Sequence, residues 1–167
     1  SAPFNNNPVL VEVVRSGYLE SIHRGSVVIH DASGNVHTFG NPARKTFPRS
    51  SHKPLQAVGM VRSGLDLPLN LLALVGASHE GTEQHVQTAR AILATAGLDD
   101  SALDNTMSMP ESPSAAYKWA IEGGQADRIH HNCSGKHSGM VATCVAAGWP
   151  TVGYRDPSHP LQKAIYE

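Results

Sequence analysis

The stretch FPRSSHKPLQA, residues 47–57, sets Ser50 three positions before Lys53, and Pro54 follows at once. Side chains three apart on a helix share a face, so a hydroxyl and an amine come within reach of each other. Proline lacks a backbone donor and clashes with the carbonyl four residues back, which makes it comfortable only in a first turn. A helix is therefore predicted to begin near Ser50 or Ser51. Unpaired N–H groups and the positive end of the helix dipole gather there, where a developing anion could be held. Serine becomes a nucleophile when a base takes its proton, and lysine is such a base only as the free amine. That requires burial or a neighbouring cation to bring Lys53 far below its ordinary value of about 10.4. The chemistry would be acyl transfer through Ser50. A capping serine beside a solvated lysine is written the same way, and S-x-x-K alone is short and common. Ser51 stands only two from Lys53, so the side chains diverge, while His52 falls on another face as a packing or surface residue.

Two further clusters carry reactive side chains. GASHEG puts Ser78 and His79 directly after an apolar run, where a second serine could relay a proton or bind substrate, or simply form a polar turn. HHNCSGKHSG gathers His131, Cys133, Lys136 and His137 among glycines that let a ligand approach the backbone. Cys133 is a candidate zinc ligand, although one cysteine with nearby histidines is not the four-ligand set of a closed site. Cys133 and Cys144 are eleven apart on what reads as one loop running into one helix, a placement that argues against a disulfide.

The elements that must position these groups are legible in outline. Between Val9 and Gly40 the runs VLVEVV, YLESI, GSVVIH and VHTFG, with the turn DASGN, predict an antiparallel meander. After Phe47 the period becomes helical: Leu55, Val58, Val61 and Leu65 recur on one face, with Gly64 as the stop. Leu71–Val75 reads as the end of a buried element that delivers side chains to a site. Over 83–96 the residues Val86, Ala89, Ile92, Leu93 and Ala96 form an apolar face, with Thr82 as N-cap and Gly97 beyond the end. Helices are also predicted over 113–122 and 136–147, and a last one opens at Ser158 or His159 with Pro160 in its first turn. Strands and helices without regular alternation predict an α+β class, an antiparallel sheet with packed helices. Residues 1–167 read as a single-domain fragment that ends inside a helix.

With 13 basic and 14 acidic residues and a net charge of −1, nothing calls for nucleic acid or an anionic membrane as partner. No apolar stretch approaches the roughly 18 residues of a membrane span, and the N-terminus lacks the pattern of a signal peptide, so a cytoplasmic location is expected.

Taken in order, VVRSGYLESIHRGSVVI, FPRSSHKPLQA, GASHEG, HHNCSGKHSGM and GWPTVGYRDPSHPLQ resemble the class 3, thermolabile-type L-asparaginases of the asparaginase II family over essentially the whole chain. The resemblance implies a β-lactamase/penicillin-binding-protein-like serine hydrolase fold, incomplete in this chain, a homodimer, and hydrolysis of L-asparagine to L-aspartate and ammonia. By resemblance Ser50 is the nucleophile, Lys53 its base, Ser78 the serine of a second Ser-Lys pair, and Cys133 and Lys136 two ligands of a zinc ion beside the pocket. Arg49, His79 and His137 become substrate-binding residues, Arg49 by its charge a partner for the substrate carboxylate. The family's second lysine and second zinc-binding cysteine lie further along a chain about twice this long, so the fragment alone is expected to be inactive. His52 and Glu80 stand where smaller or neutral residues are more usual. Two rival readings compete. A penicillin-recognising or esterase-type hydrolase would share S-x-x-K but expects S-x-N and a later K-T-G, whereas this chain has Ser78-His79-Glu80 and an RKTF before Ser50. The other is a non-catalytic metal- or ligand-binding module built on Cys133 and the histidines.

Overall fold

The computed structural model describes residues 7–167. The described backbone packs as two compact units that divide between Phe47 and Pro48.

In the first unit β1 (Val9–Arg15) pairs antiparallel with β2 (Tyr18–Arg24), and β3 (Val27–His30) pairs antiparallel with β4 (Val36–Phe39). Asp31 closes the second hairpin as expected: its Oδ1 accepts the backbone N–H groups of Ser33 and Asn35, each at 2.9 Å, which pre-forms the turn. The strands do not continue into one meander; among the described residues they form two separate two-stranded sheets. The two-residue link explains why. Gly25 N–H is bonded to the Pro8 carbonyl, lengthening the first ladder, and Asn41 N–H is held by Ser26 Oγ at 2.9 Å, so each side of the link is tied to its own hairpin.

The second unit is helical. A 3₁₀ turn, Arg49–His52, leads into α1 (Lys53–Arg62), followed by α2 (Leu69–Val75), α3 (Glu83–Thr95), α4 (Pro113–Ile121), α5 (Ser134–Ala146) and α6 (Pro160–Tyr166). Pro54 sits in the first turn of α1 and Pro160 in that of α6, the positions where a missing N–H costs nothing. His159 caps α6, accepting the Leu161 N–H through its ring nitrogen. The core lies between α3 and α5, flanked by α1, α2 and α6. Val86, Ala89, Ile92 and Leu93 of α3 are buried as their spacing predicts, against Met140, Val141, Ala142 and Cys144 of α5. Each fully buried Leu, Ile or Met contributes about 1.5–3 kcal/mol. The α5 axis approaches α2 so closely that a Cβ on Gly135 would meet Leu74 at 2.6 Å and one on Gly139 would meet Val75 at 2.7 Å. These two glycines bring the N-terminus of α5, with Cys133 and Lys136, beside the end of α2.

The face of α1 differs from expectation. Leu65 is buried as expected, but Leu55, Val58 and Val61 are exposed, and Lys53, Ala57, Gly59 and Met60 are buried instead. Gly59 is the reason: a Cβ there would lie 2.9 Å from the Ile165 backbone, so the small-residue side of α1 packs on α6 and turns the larger side chains outward. No helix among the described residues is long and apolar enough to cross a membrane.

Candidate active site

Lys53 anchors the site. It is only 3% exposed, and its amine donates to the Ala77 carbonyl at 2.9 Å and to Ser78 Oγ at 2.8 Å. Both partners come from the chain just after α2, which explains why an apolar run must end at that point: Leu74 and Val75 go into the core and the next residues turn to the amine. Burial lowers the Lys53 pKa first of all, with the Lys136 cation adding to the shift, while the Cys133 thiol and the Glu111 carboxylate oppose it.

Ser50 lies on the 3₁₀ turn, exposed, and its hydroxyl makes no hydrogen bond among the described residues. The amine that the sequence spacing pairs with Ser50 is thus bonded to Ser78, while Ser50 and Lys53 line one cleft together. The residue before Ser50 is strained. Arg49 has φ 53°, in the left-handed region that costs a side chain-bearing residue on the order of 1–3 kcal/mol. Its carbonyl is engaged by His52 Nδ1 and Ser51 Oγ bonds the Pro48 carbonyl, contacts that hold the turn in this shape.

The cleft, about 360 Å³, is lined by Arg49, Ser50, His52, Lys53 and Gln56 on one side and His131, Asn132, Cys133 and Lys136 on the other. Two bonds fasten its walls to the Ser78 loop. His79 N–H donates to the Asn132 carbonyl at 3.0 Å, and His79 Nε2 lies 2.9 Å from Ser134 Oγ. Because His79 Nδ1 accepts the Gly81 N–H, the proton sits on Nε2 and the ring donates to Ser134. His79 is buried and its pKa falls to about 4, chiefly from burial and then from His85, so the ring is neutral near pH 7. His137 is also buried; its Nδ1 lies 2.8 Å from the Tyr154 hydroxyl, which accepts the Asp104 N–H. Both histidines, expected to touch substrate, are committed to internal hydrogen bonds and do not line the cleft. Arg49 does line it.

His131, named with the Cys133 cluster, lines it as well, and so does Gln56, which the sequence reading gave no role. His131 Nδ1 is 2.9 Å from Cys133 Sγ, and Gln56 stands one turn beyond Lys53 on the same face of α1. The i, i+3 spacing from Lys53 was the available signal for Gln56. Burial raises the Cys133 pKa while the Lys136 and Lys53 cations pull it down, and burial lowers that of Lys136. Cys133 and His131 supply a thiol and an imidazole, with Lys136 as an amine once it is neutral. Among the described residues no three His, Cys, Asp or Glu side chains gather around one point. That donor set falls short of the four ligands of a closed zinc site.

The helical unit of this α+β protein thus holds a buried lysine amine against a serine hydroxyl in the wall of a polar cleft. The family model for L-asparaginase II matches residues 11–167, and the chain belongs to that family. Membership implies an amidohydrolase acting on asparagine. No curated protein sequence gives a significant match to the chain.

Proposed function

We propose that the protein hydrolyses L-asparagine to L-aspartate and ammonia through a serine acyl-enzyme formed in this cleft. The observation that carries the reading is the Lys53 amine, buried and 2.8 Å from the Ser78 hydroxyl, beside a cleft that also holds Ser50. A lysine whose pKa is lowered by burial spends more of its time as the free amine, the form that takes a proton. In the proposed sequence Lys53 accepts the Ser50 proton and Ser50 Oγ bonds to the side-chain amide carbon. The C–N bond then breaks, and the nitrogen leaves as ammonia with the proton returned by Lys53. Water adds to the ester, its proton passing to the amine and back to Ser50 as aspartate departs. Backbone N–H groups at the start of α1 would hold the oxyanion, each donor contributing a few kcal/mol, on the order of 3. Arg49 would face the substrate carboxylate.

The Lys53–Ser78 bond favours a second reading with the roles exchanged, in which Ser78 is the nucleophile and Ser50 a binding group. Alanine at each position in the complete enzyme separates the two. Ser50→Ala abolishes ammonia release and Ser78→Ala slows it by about 10²–10⁴-fold on the first reading. Turnover surviving in Ser50→Ala but not in Ser78→Ala moves the nucleophile to Ser78, and turnover surviving in both overturns the serine mechanism.

Cys133 and Lys136 are proposed as two ligands of a zinc ion that would polarise a bound carbonyl. Because the donor set on this chain is incomplete, no step above passes through it. The β-lactamase-like fold and the homodimer are likewise proposals, supported by the S-x-x-K at a helix start and by family membership.

A further inference from the structure

Gln56 Oε1 is buried and has no hydrogen-bond partner among the described residues, although the side chain lines the cleft. A buried acceptor without a donor is costly, and such an orphan in a binding cleft marks where a ligand donor fits. The rest of the lining says which donor. Arg49 brings a guanidinium to the cleft, Lys53 and Lys136 bring amines, and no Asp or Glu lines it, so a ligand carboxylate has a cation to meet and a ligand ammonium has no carboxylate. The other amide, Asn132, already donates to Glu111 through Nδ2 and accepts His79 N–H on its backbone oxygen. Ser50 is reserved for chemistry. Of the polar atoms on the cleft lining, Gln56 Oε1 is the one buried without a partner among the described residues.

We propose that Gln56 accepts a hydrogen bond from the α-ammonium group of the substrate and so selects amides of α-amino acids over simple carboxylic amides. This rests on reading the cleft as an amino-acid amidohydrolase site. A neutral acceptor suits the position because it binds the ammonium without pairing with Arg49, the cation proposed to face the carboxylate. A carboxylate in its place would strengthen the ammonium contact, since hydrogen bonds between charged groups are the stronger ones.

Turnover of L-asparagine is to be compared with that of succinamate, the same amide without the α-amino group, in the complete enzyme and its Gln56→Leu and Gln56→Glu variants. The inference expects Gln56→Leu to lower the preference for asparagine over succinamate about 10- to 100-fold, through KM more than kcat. Gln56→Glu should restore that preference, which a residue with only a structural role would not do. Equal losses on both amides would place Gln56 at the reacting carboxamide, and an unchanged preference would leave it no role; either result overturns the inference. If the unaltered enzyme releases no ammonia from asparagine, the hydrolase reading fails by itself. Calorimetric binding of L-aspartate against succinate then decides on Gln56: loss of the aspartate preference in Gln56→Leu supports the contact, and no such loss, or no aspartate binding at all, refutes it. Thermal melting of each variant separates misfolding from lost recognition.

Discussion

The two units are built from similar proportions of apolar side chain and use it in opposite ways. In the helical unit Met60, Val75, Ile92, Leu93, Val141 and Leu161 are essentially sealed from solvent. In the hairpin unit every residue of β1 and β2 is exposed, with Val11 and Val14 each more than half accessible. A two-stranded hairpin has no second layer to cover its faces and is marginal alone in water, whereas a helix laid over two others buries a whole stripe. The site follows the same division. Its lysine, its two serines and its cleft all belong to the helical unit, where packing is tight enough to strip water from an amine.

That contrast breaks most sharply on mutation. Met60→Ala, which empties a fully buried place in α1, should cost about 2–5 kcal/mol in a denaturant titration. Val14→Ala in β1 should stay within about 0.5 kcal/mol. Comparable losses at the two sites would mean that the hairpins carry a share of the stability that their exposure does not disclose.

Acid sharpens the comparison with a smaller effect. His79 takes its proton at about 4 in the folded protein, against 6.5 for an ordinary histidine. Between those values the unfolded chain binds a proton that the folded chain refuses, so stability falls as pH drops from 6.5 towards 4. Denaturation midpoints at pH 7 and pH 4.5 should show a loss that becomes smaller in His79→Gln. An unchanged loss would remove His79 from the account.

Much of the helical unit was legible because its periodicity and its stops agree. Val86, Ala89, Ile92 and Leu93 repeat at helical spacing, Thr82 and Gly97 bound them, and α3 runs between. In α1 the two signals conflict. Leu55, Val58 and Val61 form the more apolar stripe, yet contact with α6 at Gly59 decides which side goes inward, and a glycine leaves no mark in a hydrophobic pattern. The chemical types in the site were legible one segment at a time: Ser50 and Lys53 in one, Ser78 in another, Cys133 and Lys136 in a third. Their pairing was not. Lys53 meets Ser78 across 25 positions, through a helix end whose direction depends on Gly135 and Gly139 admitting α5 against α2, and no local spacing encodes that. His79 and His137 were assigned to the substrate by family resemblance; the hydrogen bonds they make, to Ser134 and Tyr154, span 55 and 17 positions and leave no mark in local spacing.

Everything chemical proposed for this protein requires the Lys53 amine to be free of its proton at working pH. Titration of the Lys53 side-chain nitrogen by NMR in the complete enzyme measures this directly, with Ser78→Ala as a companion to identify the signal. The account predicts that the proton is lost below the ordinary lysine value of about 10.4, the direction in which burial pushes it. A Lys53 that titrates at or above that value would contradict it.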